Sequence, residues 1–178
     1  MKEIILHNKI FEVFIAETEI AAIVHSIANK INEGRIKNPL FISVLNGSFM
    51  FSSDIMKKIT LPNTEISFIK LSSYSGTETT GNVHELIGLA KNIKNRNIIV
   101  LEDIIDTGIT LEKIISLLEK EEVADIKVAT LLFKPDAYTK DINIDFVGKS
   151  IPNNFVVGYG LDYDEIGRNL PHIYKLKE

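Results

Sequence analysis

Three carboxylates crowd into one short stretch of this chain, at Glu102, Asp103 and Asp106. They stand between an apolar run, Ile98-Ile99-Val100-Leu101, and a hydroxyl-bearing turn, Thr107-Gly108-Ile109-Thr110. The apolar run predicts a buried strand that stops at Glu102. Leu111, Ile114, Ile115 and Leu118 then fall at helical spacing. Acids at the carboxyl end of a strand, followed by a turn that opens a helix, suit a sugar phosphate. Backbone N–H groups and the positive end of the helix dipole hold the phosphate. The acids are left to bind sugar hydroxyls, a metal ion or a proton.

Other elements must position this segment. Thr18 reads as the N-cap of a helix carrying Ile20, Ile23, Val24, Ile27 and Ile31, with Gly34 as its stop. Pro39 leads into a strand over 40–45, and the turn Asn46-Gly47-Ser48 opens a second helix from Phe49 to Ile59. Strands are expected at 65–71, 98–101 and 126–133, with short ones at 146–148 and 155–157. Strands alternating with helices predict an α/β fold with a mainly parallel sheet. Ligands of such sheets sit at the carboxyl ends of strands. The 45–48 turn and the 102–110 segment both lie at such ends, which places them on one rim.

Composition sets the outer bounds. The 178 residues suffice for one domain with a real core, and 45% hydrophobic with 25% charged residues is an ordinary globular balance. A net charge of −4 argues against a broad nucleic-acid footprint. The absence of cysteine excludes a disulfide framework and a thiolate metal site. No apolar run approaches the ~20 residues that span a bilayer. No membrane and no nucleic acid is therefore expected as a partner, and the expected location is cytoplasmic. His7, His25, His84 and His172 show no metal-ligand spacing.

The segment LEDIIDTGIT, 101–110, resembles the phosphoribosyl-pyrophosphate (PRPP) motif of the type I phosphoribosyltransferases, in the form found in their hypoxanthine-guanine branch. Its length and mixed chemistry make it specific. The resemblance implies one domain over 1–178, with a core near 15–150 and a small hood formed by the N-terminal segment and 151–178. It implies that Asp106 faces N7 of a purine and serves as general base and electrostatic partner of the sugar cation. By itself Asp106 reads equally well as a helix cap. Glu102 and Asp103 would bind the ribose 2′ and 3′ hydroxyls and help place Mg²⁺, the implied cofactor. Thr107, Gly108, Ile109 and Thr110 would cradle the 5′-phosphate.

Further matches extend the likeness. Leu45-Asn46-Gly47-Ser48 matches the family's first pyrophosphate loop, where a cis peptide joins the first two residues; Asn46 stands where Lys is usual. Ser73 and Tyr74 match the mobile loop that shields the reacting sugar from water. Lys134 would donate to the exocyclic oxygen of the purine. Phe155 would stack on the base, Val156 would meet its edge through the backbone, and Asp162 would bind a Mg²⁺ shared with pyrophosphate. For Phe155 and Val156, composition alone prefers core packing. Arg168 would grip pyrophosphate, for which a guanidinium is suited; the residue before it, commonly aromatic, is Gly167.

Taken together, the resemblance implies a purine salvage enzyme that moves a phosphoribosyl group from PRPP to hypoxanthine or guanine. It further implies a homodimer or homotetramer. A xanthine-preferring transferase and a PRPP- or nucleotide-sensing regulator of the same fold are the alternatives.

Overall fold

The computed structural model describes residues 3–71, 85–87 and 92–177. Two sheets divide them. The larger is built from β3 (Leu40–Val44), β4 (Glu65–Leu71), β5 (Glu85–Ile87), β6 (Asn97–Ile105), β7 (Asp125–Phe133) and β8 (Phe146–Ser150), in the order β5-β4-β3-β6-β7-β8. All its pairings are parallel except that of β4 with β5. The smaller sheet is antiparallel and joins the two ends of the chain. It contains β1 (Glu3–Leu6), β2 (Lys9–Ile15), β9 (Val156–Val157) and β10 (Ile173–Leu176), in the order β1-β2-β10-β9.

Side-chain alternation along each strand builds two cores. On one face, Phe41, Ile99 and Leu101 meet Val24, Ile27 and Ile31 of α1 (Glu17–Glu33) and Phe51 and Ile55 of α2 (Phe49–Met56). On the other face, Ile42, Val100 and Val128 meet Leu111, Ile114 and Leu118 of α3 (Ile109–Lys120). Phe11, Val157 and Tyr174 form a third cluster in the small sheet. Among the described residues, no helix is long and apolar enough to cross a membrane.

Several expected boundaries move. The acids do not end their strand: β6 runs through Glu102 and Asp103 to Ile105. The cause is tertiary, because β7 continues to pair with it at Glu102↔Thr130, Ile104↔Leu132 and Ile105↔Phe133. Pairing with β3 stops at Leu101, so the far end of β6 is open on that side. Helix α1 starts before Thr18, and Ala16 at its N-cap makes no side-chain cap bond. Instead the Glu17 N–H donates to Nδ1 of His172 at 2.9 Å, which satisfies one of the free donors of a helix start. Helix α2 ends at Met56 because the chain tightens into turns at Lys58 and Ile59.

Candidate active site

The chain leaves β3 towards β4 on one side, then returns to lay β6 on the other side of β3. This reversal opens a crevice beyond the carboxyl ends of β3 and β6, the position where open α/β sheets bind ligands. The 45–48 turn and the 106–110 turn flank it.

The first turn contains a cis peptide between Leu45 and Asn46. A chain of buried hydroxyls supports it from below. Ser52 Oγ donates to Ser43 Oγ at 2.7 Å, Ser43 and Ser48 share a bond of 2.7 Å, and Ser48 Oγ donates to the Val44 carbonyl at 2.6 Å. The Ser48 N–H is also spent on Val44, at 3.3 Å. Both donors of Ser48 thus serve the loop itself, and neither faces the crevice as a ready anion donor.

Adjacent strand residues point to opposite faces, and this separates the two acids of β6. Glu102 lines a cavity of about 90 Å³ with Asp106, Thr107, Gly108, Ile109 and Thr110. Asp103 lies on the α2 side, with its carboxyl where a side chain on residue 47 would begin. Burial pushes the Glu102 carboxyl well above its ordinary range, and the charge of Asp103 adds to this. Burial also lifts Asp103, to about 6, with Asp162 contributing in the same direction and Arg168 opposing. Neither acid is a solvated charge at a strand end.

The second turn is built to present donors. Gly108 has φ +83° at the N-cap of α3, a left-handed conformation that suits glycine. A Cβ there would also meet the Tyr138 ring at 2.5 Å. Thr139 pins the turn from above, through its N–H and its hydroxyl, to the Thr107 carbonyl at 3.3 and 3.2 Å. Among the described residues, the N–H groups of Thr107, Gly108 and Thr110 have no backbone acceptor. Such free donors at a helix start favour an anion.

Asp106 does not cap α3; Gly108 stands at the N-cap, and the Ile109 N–H donates to the Thr107 hydroxyl at 3.5 Å. The Asp106 carboxylate accepts instead from Lys134 Nζ at 2.7 Å. Lys134 is 7% exposed and is held at the end of β7 by its own N–H, which donates to the Ile105 carbonyl.

Across the crevice lies the segment after β8. Phe155 is 45% exposed, so it is not core; Tyr163 meets its ring edge-on at 5.6 Å, and Phe11 lies at 6.1 Å. Val156 is buried and pairs with Lys175, which fixes the backbone beside that ring. Arg168 reaches Asp162 at 2.9 Å, Glu165 at 3.1 Å and the Gly160 carbonyl at 3.0 Å. Ser73 and Tyr74 lie outside the described residues.

Glu102, Asp103 and Asp162 form no single cage. Among the described residues, no three His, Cys, Asp or Glu side chains gather closely enough to hold a metal. A hard cation shared with substrate oxygens needs only one or two protein carboxylates. Tyr163, Tyr138 and Thr139 escaped the sequence reading. Tyr163 follows Asp162 directly and could have been found there; the other two gave no signal.

The site and fold have known counterparts. Residues 15–164 match the family model described as a phosphoribosyl transferase domain. The chain is 41% identical over 174 residues to a hypoxanthine-guanine phosphoribosyltransferase from Staphylococcus aureus, covering 97% of each protein. It superposes on a crystal structure of a hypoxanthine phosphoribosyltransferase from the same species with a TM-score of 0.86 and 41% identity, covering 93% of this chain and 91% of the other. A hypoxanthine-guanine phosphoribosyltransferase from Bacillus anthracis gives 0.85 and 37%, covering 93% and 98%. With a phosphate-ready turn at the switch point of its sheet and relatives matched along nearly their whole length, this chain belongs to the phosphoribosyltransferase family.

Proposed function

We propose that this chain is a purine salvage enzyme that transfers the 5-phosphoribosyl group of PRPP to hypoxanthine, giving IMP and pyrophosphate, with guanine as its second base. The observation that carries the reading is the Asp106–Lys134 pair at 2.7 Å, beside the free donors of the 107–110 turn. In the reaction the bond from the anomeric carbon to pyrophosphate breaks, a bond to a purine nitrogen forms, and the base gives up a proton. Asp106 takes that proton and faces the positive charge that develops on the sugar. Lys134 donates to the exocyclic oxygen of the base. Phe155 stacks on the purine, and Val156 meets its edge through the backbone. The 107–110 turn holds the 5′-phosphate. Glu102 and Asp103 bind the ribose hydroxyls from the two faces of β6. The backbone at Asn46 and Gly47, with Arg168, holds the pyrophosphate, while Leu45 anchors the loop through its N–H to the Ile69 carbonyl at 2.8 Å.

Asp103 and Asp162 would hold Mg²⁺ together with substrate oxygens, with Glu102 helping to place it directly or through water; when bound, the ion neutralises charge on the leaving group. The small sheet and residues 151–178 act as a hood over the core. The enzyme works in the cytoplasm as a homodimer or homotetramer. Exposed Phe49, Ile66 and Phe68 support an assembly surface, since the β3–β4 register sets Ile66 and Phe68 beside Phe41 and Ser43, on the α2 side. Sedimentation equilibrium tests the assembly. Initial rates with PRPP, Mg²⁺ and each of hypoxanthine, guanine, xanthine and adenine test the activity. Turnover of hypoxanthine with adenine inert is expected. A preference for xanthine, or tight PRPP binding without turnover of any base, would overturn the reading.

A further inference from the structure

Residues 158–160 run through three positive φ values in succession: 98° at Gly158, 51° at Tyr159 and 101° at Gly160. For an aromatic residue this left-handed conformation is strained and persists only where its surroundings hold it. They do so here. The N–H groups of Gly158, Tyr159 and Gly160 donate to the carbonyls of Leu161, Leu170 and Arg168 at 2.8–2.9 Å.

The result of this turn is a directed side chain. Tyr159 is 5% exposed, and its hydroxyl donates to Asp54 Oδ2 at 2.8 Å, across 105 residues of sequence. Burial, together with the carboxylate it faces, pushes the Tyr159 hydroxyl above its ordinary range, so it remains a donor. For Asp54, burial acts to raise its pKa, but the bonds from Lys57 and Tyr159 outweigh it and leave the carboxyl below its usual range. Asp54 lies on α2, the helix that begins where the 45–48 turn ends.

The neighbouring residue touches both halves of the pyrophosphate end. A Cβ on Gly160 would collide with the Gly47 carbonyl, so the 158–161 turn rests directly on the first loop. Gly160 is bracketed by Arg168 in both directions: its N–H donates to the Arg168 carbonyl at 2.9 Å, and its own carbonyl accepts from Arg168 Nη1 at 3.0 Å. Arg168 in turn holds Asp162.

We infer that Tyr159 and Asp54 are positioning residues whose hydrogen bond sets Arg168 and Asp162 in register with the Gly47 loop, and so tunes the site for the pyrophosphate of PRPP rather than for the base. The inference rests on the function proposed above. The purine platform has separate support, because Phe155 stands on Phe11 of β2 and its carbonyl accepts from the Leu176 N–H of β10 at 3.0 Å. Loss of the bond should therefore act on one substrate only.

The test compares Tyr159→Phe, Asp54→Leu, their combination and Asp54→Asn by steady-state kinetics in both directions, with thermal midpoints as a folding control. Tyr159→Phe and Asp54→Leu should each raise KM for PRPP and for pyrophosphate about tenfold, with KM for hypoxanthine nearly unchanged. The double variant should be no worse than either single one, since both remove the same bond. Asp54→Asn keeps an acceptor and should restore PRPP affinity. Equal rises for both substrates, additive losses, or unchanged PRPP affinity in Tyr159→Phe would each overturn the inference. Absence of PRPP turnover in the parent protein would instead overturn the function proposed for the site.

Discussion

Lys134 Nζ and Asp106 Oδ2 stand 2.7 Å apart, with the lysine buried and the aspartate half-exposed at the mouth of the crevice. Charge-assisted bonds of this length are strong, so a base entering here meets a preformed donor and a preformed acceptor side by side. Lys134 points the carboxylate and compensates its charge.

Asp106→Asn should lower kcat by about 10²–10⁴-fold and leave the affinity for PRPP largely intact, because a general base acts in the chemical step. Lys134→Met should act mainly on the base, raising KM for hypoxanthine about tenfold or more. Steady-state rates combined with equilibrium PRPP binding separate the two. If Asp106→Asn lost binding and turnover in equal measure, Asp106 would be holding the sugar rather than the proton.

Asp103 gives a dependence on pH. Its folded pKa, about 6, lies above the ordinary carboxylate value of 3.8, chiefly because of burial. The folded state therefore binds more protons than the unfolded chain between these values. The contribution of this group to stability is full below the lower value and is lost as pH rises through the upper one. Asp103→Asn avoids that loss. In metal-free buffer its advantage in unfolding free energy over the parent should grow across this window and level off above it, at on the order of 3 kcal/mol. A difference that stays flat with pH would show that the carboxyl titrates normally.

The Ser43-Ser48-Ser52 hydroxyl chain is fully buried. Ser43→Ala takes away the acceptor used by Ser52. Stranding a buried donor costs about 1–3 kcal/mol. For a domain of this size that is a fall of roughly 3–10 °C in Tm. Because the same hydroxyls support the 45–48 turn, KM for PRPP should rise with it. A variant as stable as the parent would mean that the chain of hydroxyls contributes nothing net.

His172 caps a helix 155 residues away. His172→Ala removes the acceptor of the Glu17 N–H and should destabilise the fold by about 1 kcal/mol, as loss of an N-cap does. Hydrogen exchange offers the specific readout, with faster exchange at the first turn of α1 and little change in α3. Uniform acceleration across both helices would point to global loosening instead.

The sequence was most readable where chemistry is contiguous. Between Glu102 and Thr110 every residue of the phosphate turn is a neighbour in the chain, so its types and order carry the message. The Asp106–Lys134 pair was not readable from spacing, because it depends on strand register: Ile105 pairs with Phe133, and the next residue of each strand then meets the other. The same ladder explains the misplaced strand end, since two acids look like a stop until β7 is set beside them. The β1–β2 hairpin gave only a weak turn signal, at Asn8, because His7, at φ 50°, bends the chain where glycine would have announced it. Ala16 hid the start of α1 for a related reason, as its cap comes from His172.

The separation of Glu102 from Asp103 has a consequence for how such a protein can change. The cavity beside Glu102 shares Leu111 with one hydrophobic cluster, while Asp103 and the Gly47 loop rest on the face formed by Phe41 and Phe51. β6 thus works as a partition with an independent support on each side. Substitutions in these two supports, such as at Leu111 and Phe51, should combine almost additively, as separated sites do, whereas Glu102 and Asp103 themselves are coupled through their charges. Variation can then explore the two supports separately, without a compensating change across the strand.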